Sequence, residues 1–116
     1  MLLTRKLALA GLAMFSMAAA MAHHGWSGYQ TELVKVEGVI EQSSYANPHG
    51  SIHLKAPDKT WMVVLAPTSR MASRGLTAEM LKVGGNVSVE GYQKTSDPEE
   101  MRAERIAVDG KTIELR

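Results

Sequence analysis

From residue 31 onward, apolar and polar side chains alternate in short runs separated by turn residues. A period of two predicts strands with one buried face. Leu33 to Ser44 reads as one long strand, with Val34, Val36 and Ile40 on one parity and Lys35, Glu37 and Glu41 on the other. Gly38 inside it predicts a bulge or a sharp bend. Ser51 to Lys55 is a second strand, with Ile52 and Leu54 facing one way and Ser51, His53 and Lys55 the other. Trp61 to Leu65 is a third strand, apolar on both faces and therefore central. Asn86 to Tyr92 follows as a fourth, and Met101 to Val108 with Lys111 to Leu115 as a hairpin about Asp109-Gly110, a strong two-residue turn signal.

The connections have their own chemistry. Asn47-Pro48-His49-Gly50 is a turn, because Pro48 keeps Asn47 out of helical geometry and Gly50 tolerates positive φ. Pro57-Asp58-Lys59 turns the chain again. Pro67 to Arg74 makes a short helical turn stopped by Gly75, and Thr77 caps a second over Ala78 to Lys82. Thr95 to Glu100 reads as a polar loop around Pro98, and His23 to Gln30 as an irregular leader. Three strands, a short helix and two or three more strands predict an all-β domain with a small α contribution. The order fits an OB-fold-like barrel of five to six strands with one short helix between strands three and four. A small β-sandwich is the competing architecture.

The first 22 residues are set apart. A basic pair, Arg5-Lys6, precedes an apolar run from Leu7 to Ala20 and a small-x-small junction, Ala20-Met21-Ala22. This is the layout of a secretory signal peptide. The run is too short and too alanine-rich for a membrane span, which needs roughly 20 strongly apolar residues. Cleavage after Ala22, or alternatively after Ala20, predicts a periplasmic protein with no membrane anchor. Its single domain covers residues 23–116. Two of the 13 Lys+Arg leave with the signal, so 11 face 12 Asp+Glu and the net charge is −1. That balance gives no electrostatic case for nucleic acid. The absence of cysteine rules out disulfides, thiol catalysis and thiolate metal sites.

His23-His24-Gly25-Trp26-Ser27, Asn47-Pro48-His49, Gly75-Leu76, Met101-Arg102-Ala103 and Asp109-Gly110-Lys111 together resemble a family of small exported proteobacterial proteins of unknown function. The resemblance covers nearly the whole mature chain. Its most specific parts are the His-His-x-Trp start and the Asn-Pro-His turn. It implies an exported small β domain and points to His23, His24, Trp26, Asn47 and His49, but supplies no activity.

The candidate chemistry is metal binding. With His23 first, its amine and imidazole form one chelate beside His24. With Met21 first, histidine stands third, where amine, two amides and imidazole give four nitrogens in a plane. Square-planar nitrogen donors favour Cu(II) or Ni(II), and Cu(II) heads the divalent affinity order. Copper is therefore the expected cofactor, with His23, His24 and His49 as ligands. Solvated histidines on a chain terminus are the alternative. His49 and His53 share strand parity, but four residues of strand span about 13 Å, too far for one ion. His53 reads as a surface residue. Met62, Met71, Met80 and Met101 read as core fillers. No nucleophile elbow or phosphate-binding glycine loop is present, so the expectation is a protein that is not an enzyme. The second reading is an envelope interaction module, in which Trp26 and Asn47 dock the leader or a periplasmic protein partner.

Overall fold

The structure, a computed structural model, describes residues 27–116. Six strands run β1 (Tyr29–Ser44), β2 (Ser51–Lys55), β3 (Thr60–Val64), β4 (Asn86–Lys94), β5 (Asp97–Val108) and β6 (Lys111–Glu114). A short helix, α1 (Thr68–Ser73), and a 3₁₀ turn, Glu79–Leu81, lie between β3 and β4. The strands form one sheet in the order β3-β2-β1-β4-β5-β6. A parallel pairing of β3 with β5, Met62 to Glu100, Val63 to Met101 and Val64 to Arg102, bends this sheet into a ring. Five strands closed this way, with a helix after the third, make an OB-fold-like barrel. Closure also pairs edges that would otherwise invite association.

The ring follows from the alternation. Val36, Ile40, Ile52, Leu54, Trp61, Val63, Val87, Val89, Met101, Ala103 and Ile106 all point inward and are buried. Met71, Leu76 and Leu81, from α1 and the segment after it, join the same core. The helix ends as expected, with Gly75 at φ 88°. Its arginines then hold the last strand. Arg74 donates to the carbonyls of Glu114 at 2.7 Å and Arg116 at 2.9 Å, and Arg70 to that of Leu115 at 3.2 Å. On the outer face, Arg105 bonds Glu114 at 2.8 Å and Glu90 at 2.6 Å, tying β5 to β6 and β4. These two carboxylates, Glu114 foremost, push the guanidinium pKa upward.

Four local expectations need correction. β1 starts at Tyr29, not Leu33, because Tyr29 pairs with Lys94, a contact invisible in a run that is polar on both faces. The register of β1 shifts between Tyr29 and Leu33 against β4 and between Ile40 and Gln42 against β2, not at Gly38, which pairs in register with Val87. Gly38 is needed for another reason: a Cβ there would collide with the Lys55 carbonyl where β2 ends. The polar segment Thr95 to Glu100 is not a loop. Only Thr95 and Ser96 turn, and Asp97 to Glu100 continue as β5. Pro98 has no N–H to give, and its carbonyl instead accepts from Gln93 Nε2 at 2.7 Å and Lys59 Nζ at 2.8 Å. Finally, the second helical turn is one turn of 3₁₀, with Thr77 Oγ1 accepting from the Met80 N–H at 3.3 Å.

Candidate functional site

His23, His24 and Trp26 lie outside the described residues. The structure does fix where the leader joins the barrel. The Gly28 carbonyl accepts a hydrogen bond from the Thr95 N–H at 2.8 Å, beside the β4–β5 turn. Next to it the Tyr29 hydroxyl donates to Glu100 Oε2 at 2.7 Å, and Lys94 Nζ stands 3.7 Å from the other oxygen of that carboxylate. Burial pushes the Tyr29 phenol up to about 12, and the Glu100 carboxylate adds to the shift. A raised folded-state pKa favours the protonated fold. The contribution is complete below pH 10, the ordinary phenol value, and is lost as pH climbs through about 12. The urea midpoint is therefore expected to fall over that interval, and to fall less in Tyr29→Phe. Tyr92, also raised by burial, accounts for part of the remainder. Equal slopes in the two proteins would contradict this assignment.

The Asn-Pro-His turn sits at the other end of β1. Asn47 Oδ1 accepts from both the backbone N–H of Thr68 at 3.2 Å and its hydroxyl at 2.9 Å, so it holds the start of α1. Gly50 exchanges backbone bonds with Leu65 and Ala66, each at 2.8 Å. A Cβ on Gly50 would stand 2.6 Å from the Met71 methyl. These contacts give the turn a packing role beneath the helix. His49 is half-buried, with Nδ1 3.3 Å from the Gly50 carbonyl oxygen, to which its Nδ1–H tautomer donates. The 16 residues of β1 represent about 50 Å of curved chain between His49 and the leader's point of entry. From His23 to Tyr29 the leader reaches about 20 Å at full extension. Along the chain, the whole of β1 separates His49 from the point where the leader joins.

A different histidine has the more open chemistry. His53 lies on the outer face of β2, opposite Gln42 of β1 and Met62 of β3. The next residue in that row is Glu100, paired with Met62 across the parallel closure. The turn Pro57-Asp58-Lys59 fixes this register, since Lys55 pairs with Thr60 and the count outward brings His53 to Met62. The sequence carried this signal, but spacing along one strand does not reveal a partner across two. At the open end of the barrel, Val34, Val36, Ala56, Trp61 and Gln93 line a cleft of about 510 Å³. Trp61 is 5% exposed, as expected for a core residue, and Lys59 Nζ sits 4.2 Å from its ring centroid. Among the described residues, no three His, Cys, Asp or Glu side chains converge, and no helix is long and apolar enough to cross a membrane.

The whole-chain pattern decides the family. This chain belongs to DUF6152, a family of unknown function. The match runs over residues 11–101, from the apolar N-terminal run through most of the barrel. No curated protein matches the chain. Within this DUF6152 protein the matched span includes both leader histidines, the Asn-Pro-His turn and the His53–Met62 row.

Proposed function

We propose that this protein is an exported barrel that binds copper through its mature N-terminus. The ligands are the α-amine and imidazole of His23 and the imidazole of His24. The reading rests on one observation, the position of His23-His24 directly after a small-x-small processing junction. Processing there turns a peptide nitrogen into a free amine beside two imidazoles, a donor set that suits Cu(II). His49, in the Asn-Pro-His turn, is the further candidate ligand. Ring closure and core packing come from residues of the barrel itself, Val36 to Leu115. A change at His23 or His24 therefore tests metal binding without removing any of those core contacts. The amine pKa of about 8 makes binding weaken as pH falls, because the ligand must lose its proton.

Native mass spectrometry of the protein purified from the periplasm, with one equivalent of Cu(II) and a competing chelator, tests this. A mass beginning at His23 that retains one copper is expected, together with its loss in His23→Ala/His24→Ala. A processed protein that keeps no copper overturns the proposal. The leader would then be read as a docking element for a periplasmic protein partner.

A further inference from the structure

Met62 departs from the pattern of the other methionines in the barrel. Met71 and Met101 are fully buried and Met80 packs against the core, but Met62 is outside that cluster. It lies on the outer face of β3, half-exposed, because its neighbours Trp61 and Val63 take the inner positions. A thioether on an outer sheet face has no core gap to fill. Its partner across the β2–β3 ladder is His53, also half-exposed between the buried Ile52 and Leu54. Among the described residues, no hydrogen bond or ion pair engages the His53 ring.

We propose that His53 and Met62 form a Cu(I) site on the outer face of the barrel, distinct from the copper-binding N-terminus. Directly opposed residues on neighbouring strands have Cβ atoms about 5 Å apart. Both side chains are long enough to turn an imidazole nitrogen and a thioether sulfur onto one ion. Thioether sulfur is a soft ligand that selects Cu(I), and imidazole accepts copper as well. Cu(I) needs few ligands, so two cross-strand side chains suffice where a harder ion would require more oxygen or nitrogen. Gln42 pairs with His53 on its other side. Glu100, paired with Met62 on its other side, is held by Tyr29 and Lys94. His53 also lines a small polar depression with Gln42, Ser43, Ser44 and Ser51.

The site is tested in a His23→Ala/His24→Ala background, where the N-terminal ligands are gone and failure of one proposal cannot stand for failure of the other. The protein is titrated anaerobically with Cu(I) against a chromophoric chelator, while the methionine methyl groups are followed by NMR. One equivalent is expected to bind and to move the Met62 methyl resonance, leaving Met71 and Met101 in place. Met62→Leu, which keeps volume on an outer face, and His53→Gln are each expected to weaken binding by tenfold or more. An unmoved Met62 methyl resonance, or Cu(I) affinity unchanged in both variants, overturns the site.

Discussion

Gly91→Val is expected to leave little folded protein at room temperature, and Gly91→Ala to lower the melting temperature by more than about 10 °C. Gly91 is a buried residue of β4 at a register shift against β5. A Cβ at this position would overlap the Arg102 carbonyl and stand 2.9 Å from the Ala103 Cα. Both obstacles are backbone, so no rotamer change relieves the overlap. The two strands must separate at this register shift, and their ladder hydrogen bonds go with the contact. Overpacking a well-packed interior costs about 1–3 kcal/mol when side chains can adjust, and more when the backbone must move. A folded domain this small has roughly 5–10 kcal/mol in hand. Thermal melts followed by circular dichroism give the answer. An alanine variant melting within a few degrees of the parent would show that β4 and β5 can part there without loss.

Ile40→Ala is expected to cost about 3–4 kcal/mol, the range for truncating a buried isoleucine in a core that cannot collapse. Ile40 is fully buried, and it stands at the point where β1 changes partners. Its side chain lies across from Leu54 of β2, just before the register shift. Its backbone leaves the regular ladder to serve the β4 side. The Ile40 N–H donates to the Gly85 carbonyl at 2.9 Å, and its own carbonyl accepts from the Gly84 N–H at 2.8 Å. Those bonds keep the backbone where it is after truncation, so the cavity stays open. Val39 provides the control. It is the adjacent residue with the opposite parity, 39% exposed, and Val39→Ala should change stability by less than about 0.5 kcal/mol. Urea unfolding of both variants separates the cases, and similar midpoints for the two would refute the assigned role of Ile40.

Much of the barrel is written locally. β2 occupies the residues its alternation predicts, Ser51 to Lys55. The β5–β6 hairpin turns at Asp109 and Gly110, both at positive φ, as an Asp-Gly pair requires. The helix between β3 and β4 stops at Gly75. Each of these depends on neighbours within a few residues, so composition and period suffice to place them. The candidate N-terminal site is of the same kind. The proposed processing junction and the two adjacent histidines stand on consecutive residues, and the fold adds only the point at which the leader joins.

The tertiary structure decided what depends on partners far away in the chain. Tyr29 and Gln30 become strand because Lys94 and the β4–β5 turn lie beside them. Asp97 to Glu100 extend β5 because β4 and the closing strand β3 receive them. Gly38 and Gly91 are required by backbone atoms of Lys55 and Arg102, which no local pattern places there. Asn47 is explained by Thr68, 21 residues on. The row from Gln42 through His53 and Met62 to Glu100 draws on four strands of the ring. Alternation tells which face a side chain takes, because it is set by the pleat of its own strand. Which side chain stands beside it is set by register between strands, and register is fixed only when the ring closes.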